Sequence, residues 1–258
     1  MKIIAYTNKG AVREHNEDVI LAADNIISGQ NMNRPIEINT ENYNNRFAVI
    51  DGMGGYEGGE IAALIVAISF LENPEDWNNL NLLTSEIKNT IGSILIRASQ
   101  KIRKIADNNL DLAYMGAALA GVVFWNEEII IFNCGDCRVY CQQGRYLKKI
   151  SHDHSLVQEL FDKGKIEEND MRTHPRKNIV TACVSAKLSD IDIYFNEFSN
   201  TQQQNRFFIC SDGVWEALSK EELEECLCND YLATANNIVE KLSNAKCNDN
   251  VSFLIIGN

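Results

Sequence analysis

Hydrophobic and polar residues follow one another in blocks along this chain, and the period within each block predicts its secondary structure. Short runs rich in apolar residues predict strands at 2–7, 47–50, 191–198, 206–210 and 251–256. Apolar residues at steps of three and four predict a long helix over 83–107, and the almost wholly apolar stretch 60–71 predicts a buried helix. We expect these two helices to pack together on one face of a sheet.

The middle of the chain changes to a strand pattern. Four short strands separated by polar turns are predicted at 117–125, 129–134, 138–141 and 146–150, and together they indicate a β-meander. Residues 24–45 are rich in Asn and predict a surface hairpin or loop. Residues 151–185 predict two short helices and a basic patch at 172–178. This segment is either a mobile flap that meets an anionic partner or a plain surface insertion.

Composition narrows the class of protein. The 258 residues include three prolines and no linker rich in Ser, Gly or Pro. We therefore expect one domain over 1–258, with a flap subdomain at about 151–190. A net charge of −12 argues against nucleic acid or an anionic membrane as a partner.

The same composition bears on location and on the cysteines. No apolar run is long enough to span a bilayer, and the first residues lack the apolar core of a signal peptide. We expect a cytoplasmic protein whose eight cysteines are reduced. Cys134 and Cys137 have zinc or redox spacing, but no second pair or nearby His completes a site. That pattern favours structural thiols.

The stretch around Asp51 carries the strongest chemical signal. Asp51 directly follows the apolar run 47–50, five glycines lie within residues 52–59, and an apolar helix is predicted next. Glycine allows the backbone to approach a ligand closely and to expose its own N–H and C=O groups. A carboxylate at a strand end before such a turn suits a metal or phosphate site. The alternative for this stretch alone is a tight strand-to-helix connection with an incidental acid.

Other acids extend the pattern. Three more stand at predicted strand ends or turns, namely Asp136, Asp212 and Asp249. Carboxylate oxygens are hard ligands that suit Mg²⁺ or Mn²⁺ rather than zinc. Near the N-terminus, Arg13 precedes Glu17 and Asp18. In that loop the Arg could anchor an anion while the acids bind a cation, or the group could be an ordinary surface ion pair.

The order of these motifs resembles that of the metal-dependent protein serine/threonine phosphatases, the type 2C or PPM family, in its single-domain bacterial form. The matching runs are residues 13–18, 48–55, 133–140, 153–157, 173–176, 208–213 and 248–251. Each run alone is a weak signal, whereas together they span the chain in the order of the family. The resemblance implies an α+β fold, a four-layer αββα sandwich of two antiparallel β-sheets flanked by antiparallel helix pairs.

The resemblance also implies a centre with two Mn²⁺ or Mg²⁺ ions and room for a third. By position, the residues that would hold metal are Glu17, Asp18, Asp51, Gly52, Asp136, Asp212 and Asp249. Asp51 would bridge both ions, and Asp136 with Asp212 would match the third site. Arg13 would bind the phosphate, and Arg13, Asp51 and Asp212 are the expected catalytic residues.

The implied activity is hydrolysis of phosphoserine and phosphothreonine in proteins by a water that two metal ions activate, without a phosphoenzyme. Expected partners are phosphorylated proteins, including substrates of a bacterial serine/threonine kinase. The family also implies a monomer.

Two departures from the family pattern keep alternatives open. Ala117 and Ala118 stand where the family usually has small hydroxyl residues, and the flap end at 181–185 lacks a usual glycine. One alternative is therefore a catalytically weak phosphatase-fold protein that binds and regulates a partner. A third interpretation, independent of these departures, is a metal-dependent phosphatase that acts on small phosphomonoesters. The basic patch from Arg172 to Lys177 favours a larger phosphoprotein over it. Four histidines are expected to be polar or capping residues rather than general acids, namely His15, His152, His154 and His174.

Overall fold

Two antiparallel sheets form the centre of the protein. A computed structural model describes residues 1–40, 46–54, 58–72, 77, 82–199 and 206–257. The strands in these ranges are β1 (Lys2–Asn8), β2 (Val19–Ala22), β3 (Asn25–Ser28), β4 (Ile36–Ile38), β5 (Arg46–Met53), β6 (Gly116–Trp125), β7 (Glu128–Cys134), β8 (Arg138–Gln143), β9 (Tyr146–Lys149), β10 (Val184–Ser185), β11 (Tyr194–Ser199), β12 (Arg206–Cys210) and β13 (Val251–Gly257). One sheet has the order β4-β1-β13-β12-β8-β9. The other has the order β11-β7-β6-β5-β2-β3, with β10 paired to β6.

Helices cover the outer face of each sheet. They are α1 (Gly58–Leu71), α2 (Thr84–Ala106), α3 (Leu156–Asp162), α4 (Glu168–Met171), α5 (Asp212–Ala217), α6 (Lys220–Glu225) and α7 (Tyr231–Ala245). The helices α1 and α2 pack together on the sheet that contains β5 and β6, as expected. The helices α5 and α7 pack against β13 and β1 of the other sheet. The α+β sandwich of two antiparallel sheets between helical layers is thereby confirmed.

The central strands are buried on both faces, which explains why they read as continuous apolar runs. In β5, Phe47 and Val49 join the core between the sheets, whereas Ala48 and Ile50 join the core under α1 and α2. Successive side chains of a strand point to opposite faces, so an apolar residue is needed at every position here. The strand does not stop before Asp51, as the apolar run 47–50 predicts, but continues to Met53. Burial on both faces fixes the register of β5 and with it the position of Asp51 near its C-terminal end.

The predicted β-meander is wrong in one respect. The strands β6 and β7 form a hairpin in one sheet, and β8 and β9 form a hairpin in the other. Between them the chain crosses from one sheet to the other through Gly135, Asp136 and Cys137. The four strands have the expected positions, but a pattern of apolar residues does not state which strand each will pair with. The crossing carries Asp136 to the boundary between the sheets.

The segment predicted as a surface hairpin or loop contains two edge strands. β3 pairs with β2, and β4 pairs with β1 of the other sheet. The part of this prediction that falls on residues 41–45 lies outside the described residues, as does the part of the glycine-rich turn at 55–57. The strand predicted at 191–198 begins later, at Tyr194. The short helices expected within 151–185 are α3 and α4.

The buried cysteines agree with a further expectation. All eight cysteines are free, and Cys134 and Cys137 are fully buried. In the described ranges, no helix has both the length and the apolar composition needed to cross a membrane. Buried free thiols behave as small apolar side chains, in agreement with the structural role expected for them.

Gly121 provides a test of how tightly the sandwich is packed. A Cβ atom at this position in β6 would collide with the ring of Phe132 and lie 2.6 Å from the Phe47 carbonyl oxygen. We expect Gly121→Ala to lower the free energy of unfolding by about 1–3 kcal/mol, because the backbone cannot move aside. Urea unfolding followed by circular dichroism measures this change.

Gly92→Ala is the matched control. Gly92 lies within α2, where an added Cβ would meet only Ile193, at 3.9 Å. Alanine in a helix interior should raise stability there by about 0.5–1 kcal/mol. Equal effects of the two substitutions would contradict the packing described for β6.

Candidate active site

The expected site residues converge on one cleft of about 410 Å³. They come from segments that are far apart in sequence: the loop after β1, the end of β5, the crossing after β7, the start of α5 and the loop before β13. The cleft is lined by Arg13, Glu17, Asp51, Gly52, Met53, Gly54, Asp136, Asn178, Val180, Asp212 and Asp249. Of the eight residues predicted for the site, all but Asp18 therefore line it.

Close backbone packing forms the floor beside Asp51. A Cβ at Gly52 would collide with the Gly59 carbonyl and lie 2.7 Å from the Glu17 carbonyl oxygen. A Cβ at Gly59 would in turn collide with the Glu17 carboxylate. Three segments therefore meet where only glycine fits, and this brings the Glu17 carboxylate beside the end of β5. Here glycine serves close approach rather than an unusual backbone angle.

Asn250 holds the loop that carries Glu17. Its side-chain oxygen accepts a hydrogen bond from the Glu17 N–H at 2.8 Å, and its amide donates to the carbonyls of Lys9 and His15 at 3.1 and 2.9 Å. Its own N–H donates to the Asp249 carboxylate at 2.9 Å. One amide therefore joins the N-terminal loop to the loop of Asp249. The sequence motif that contains Asn250 does not predict this role.

Asp18 lies behind the cleft rather than on its wall. It is fully buried, and its Oδ2 accepts a hydrogen bond from the Ser211 hydroxyl at 2.9 Å. Ser211 directly precedes Asp212, and its hydroxyl also accepts from the Ser252 N–H at 3.1 Å. Asp18 is therefore linked to Asp212 through Ser211 at the start of α5, and its supporting role stays a prediction.

Burial and crowding make the cleft costly for negative charge. Burial raises the pKa of Asp18 and of Asp212 to about 7, and neighbouring carboxylates contribute in the same direction. Burial and the nearby Asp212 also raise the pKa of Asp51 and of Asp136 well above the ordinary value. Burial raises the pKa of Glu17 despite the attraction of Arg13. These carboxylates gain little compensation from the protein itself.

The donor set fits divalent cations. Asp18 Oδ1 and Asp212 Oδ1 are buried and accept no hydrogen bond. Unpartnered carboxylate oxygens in a buried acidic cleft are suitable ligands for a hard cation. Within the described part of the chain, however, no three His, Cys, Asp or Glu side chains already stand in an arrangement that would hold a metal ion. The predicted ligand set therefore stays a prediction.

Arg13 and Asp249 are paired with each other. Arg13 Nη2 donates to Asp249 Oδ2 at 2.7 Å, and about half of the Arg13 side chain is exposed. The predicted phosphate-binding residue thus contacts a predicted metal ligand. Among the described residues that line the cleft, Arg13 is the one basic side chain. It stands where it can offset part of the negative charge.

The two alanines that depart from the family pattern lie beside the site. Ala118 is the cross-strand partner of Asp51, and Ala117 that of Gly52. A Cβ added at Gly135 would collide with the Ala118 side chain, so Ala118 packs directly against the loop of Asp136. A small side chain at 118 therefore keeps that loop close to β5.

None of the four histidines lines the cleft among the residues described. His154 Nδ1 accepts from the Gly135 N–H at 3.2 Å, and His174 Nδ1 accepts from the Arg176 N–H at 3.1 Å. Both therefore satisfy backbone donors. This agrees with the polar and capping roles expected for these residues.

Comparison with known proteins places this geometry in a family. The family model described as Protein phosphatase 2C matches residues 36–250. The chain belongs to the protein phosphatase 2C family. The expected class of enzyme, a phosphoprotein phosphatase, is confirmed at this level. A serine/threonine phosphatase, stp, of Listeria monocytogenes is 28% identical over 97% of this chain and 93% of its own length.

Solved structures of similar fold agree with this family assignment. The serine/threonine phosphatase Stp1 from Staphylococcus aureus has a TM-score of 0.81 and 20% identity, over 99% of this chain and 94% of that one. The catalytic domain of the serine/threonine protein phosphatase PstP, solved in complex with two manganese ions, has a TM-score of 0.76 and 21% identity. It covers 99% of this chain and 98% of that one. At such identities the likeness shows the protein phosphatase 2C fold.

The raised pKa values predict how stability depends on pH in metal-free protein. Between about pH 4 and pH 7, folded Asp18 retains a proton that the unfolded chain has lost, since its pKa is raised to about 7. The folded state then binds more protons, so the free energy of unfolding should fall as pH rises through this window. Chemical unfolding in the presence of a chelator at several pH values measures the slope.

Asp18→Asn isolates this effect. The amide oxygen can still accept from Ser211, but it does not titrate, so the variant should have a less negative slope than the unsubstituted protein. His154, whose pKa burial lowers, contributes a slope of the opposite sign in both proteins and cancels in the comparison. Identical slopes would contradict the raised pKa of Asp18.

Proposed function

We propose that this chain is a metal-dependent protein serine/threonine phosphatase, which removes phosphate from phosphoserine and phosphothreonine in proteins. The observation that carries the proposal is the convergence of Arg13 and six predicted ligands on one acidic cleft. Membership of the protein phosphatase 2C family and the naming of its relatives as serine/threonine phosphatases support it. The two manganese ions of PstP support a similar requirement here.

The residues suited to hold Mn²⁺ or Mg²⁺ are the acids of the cleft together with the Gly52 carbonyl. We propose two ions at Glu17, Asp51, Gly52, Asp212 and Asp249, and a third site at Asp136 and Asp212. Bound there, such ions would neutralise the carboxylates, attract phosphate oxygens and lower the pKa of water. Asp18 would support this set from behind through Ser211.

Arg13 has the chemistry to orient the phosphate. Its planar guanidinium can donate two parallel N–H groups to phosphate oxygens. Since one of its nitrogens donates to Asp249 in the structure, phosphate binding would exchange this partner for another anion. Half of the side chain is exposed, so the exchange needs no opening of the core.

The contacts of the cleft and of the flap also bear on the two alternatives, a weak binding protein and a phosphatase of small phosphomonoesters. Six of the seven predicted ligands line the cleft, and Ala118 has a packing role beside the Asp136 loop, which favours an active enzyme over a weak binding protein. The basic flap is a weaker argument for protein substrates than the sequence implied. Lys177 pairs with Glu216, and Arg172 lies 3.6 Å from Glu222, so both cations have partners inside the protein.

Hydrolysis of a phosphothreonine peptide tests the proposal. We expect release of phosphate that requires Mn²⁺, and a loss of at least about 100-fold in Asp212→Ala, because this residue would hold the metal ion that activates the attacking water. Asp107→Ala is the control, since Asp107 is an acid at the exposed end of α2 and should leave the rate unchanged.

The outcomes separate the candidate functions. Faster turnover of a small aryl phosphate than of the peptide would favour the small-molecule phosphatase. No turnover of either substrate by folded protein at millimolar Mn²⁺ would contradict the proposal and favour the binding protein.

Replacement of Arg13 should affect phosphate and metal differently. Arg13→Ala removes charge-assisted hydrogen bonds of roughly 1.5–3 kcal/mol, so KM for the phosphopeptide should rise by about ten-fold or more. Mn²⁺ affinity should be unchanged or higher, because the Arg no longer competes for Asp249. Calorimetric titration with Mn²⁺ and steady-state kinetics measure the two effects. A variant that loses Mn²⁺ affinity would show that Arg13 belongs to the metal site instead.

A further inference from the structure

Trp215 connects the two segments that carry Asp136 and Asp212. It lies in α5, three residues after Asp212, and is almost fully buried. Its indole Nε1 donates a hydrogen bond to the backbone carbonyl of Asp136 at 3.0 Å. One rigid side chain therefore links the helix that begins at Asp212 to the loop that crosses between the sheets.

Arg138 holds the Trp215 ring in place. Its guanidinium carbon lies 3.7 Å from the ring centroid, in the geometry of a cation–π contact. The same guanidinium donates through Nε and Nη2 to Asp153 Oδ2 at 2.8 and 2.6 Å. Asp153 is buried and also lies 3.3 Å from Lys149 Nζ. The ring thus rests on an ion pair that has little freedom to move.

This arrangement opposes the repulsion between two acids. Asp136 and Asp212 both line the cleft, and their negative charges disfavour a close approach when no cation lies between them. A hydrogen bond from Trp215 to the peptide of Asp136 constrains the separation of the two segments without adding charge to the cleft. Tryptophan suits this task because its large ring packs while its single N–H finds one partner.

We propose that Trp215 is a positioning residue, which holds the Asp136 loop against the Asp212 helix so that the two carboxylates can share one divalent cation. Arg138 and Asp153 act behind it by fixing the plane of the indole. The inference rests on the proposed metal-dependent function. It concerns residues that do not touch substrate or metal themselves.

The test compares two tryptophan-to-phenylalanine variants. Trp215→Phe keeps an aromatic ring on Arg138 but removes the indole N–H, so the hydrogen bond to the Asp136 carbonyl is lost. Trp125→Phe is the matched control: Trp125 is equally buried, and its Nε1 donates to the Leu82 carbonyl at 3.1 Å in the core under α1 and α2. Both variants therefore lose one indole hydrogen bond to a backbone carbonyl, at different places in the fold.

Mn²⁺ binding is the readout, because it does not depend on turnover. Electron paramagnetic resonance counts bound Mn²⁺ in a titration of metal-free protein. We expect Trp215→Phe to lose ten-fold or more in affinity for the Mn²⁺ ion that binds most weakly, whereas Trp125→Phe should bind Mn²⁺ as the unsubstituted protein does. Arg138→Lys keeps the positive charge but loses the planar guanidinium that stacks on the ring and donates twice to Asp153. It should lower the affinity for the same Mn²⁺ ion to a smaller extent.

Each outcome decides the inference. Unchanged Mn²⁺ binding in Trp215→Phe would overturn it, and so would an equal loss in Trp125→Phe, since that loss would reflect general loosening. An unsubstituted protein that binds no Mn²⁺ overturns both the inference and the proposed function. Normal Mn²⁺ binding without release of phosphate from the phosphothreonine peptide would overturn the proposed function and leave the role of Trp215 intact.

Discussion

Crowding of like charge in a buried cleft is the constraint on which the rest of this structure depends. Asp51, Asp136 and Asp212 have raised pKa values because burial and mutual repulsion both disfavour their charged forms. Left to themselves, such groups would move apart or take up protons. The two apolar cores oppose this by making the sandwich close-packed on both faces of its central strands. Apolar burial therefore supplies the free energy that holds the acids together.

Hydrogen bonds from uncharged groups hold the acidic segments in place. Charged partners would instead change the net charge of the cleft. Asn250 holds the Glu17 loop through three hydrogen bonds, Ser211 donates to Asp18, and Trp215 donates to the Asp136 carbonyl. Each uses an amide, hydroxyl or indole, so the geometry is set without neutralising the carboxylates. A lysine in any of these places would form an ion pair with the acids and occupy the position suited to a cation. The negative charge therefore stays available for a metal ion.

The sequence predicts those parts of this arrangement that depend on local pattern. The strand before Asp51 and the helix α2 are recognisable because burial on two faces, or on one stripe, leaves a periodic trace. Asp51 and Asp212 are recognisable because each closely follows an apolar run and precedes glycine. The sequence does not predict that β8 and β9 pair in a different sheet from β6 and β7, since the same apolar pattern suits either sheet. Local pattern carries no information about which strands become neighbours.

The roles that sequence could not supply all join distant positions. Asn250 contacts Glu17 across 233 residues, and Ser211 contacts Asp18 across 193. Such roles exist only once the sheets have brought the chain ends together. The family resemblance predicts the metal ligands because they stand in recognisable motifs. It predicts no role for Trp215, because the role proposed for this residue depends on where the Asp136 carbonyl lies.

The pairing of Arg13 with Asp249 shows how the cleft manages its charge. A guanidinium beside the acids offsets part of their repulsion when no metal ion is bound, and its exposed half leaves it able to exchange partners. A divalent cation at Asp249 would release the Arg, since the carboxylate then gains a stronger electrostatic partner. The released guanidinium would be left facing the cleft with unused donors, which a phosphate group can accept. Metal binding would thereby prepare the phosphate site, and the ion pair follows from the same electrostatics that make the cleft acidic.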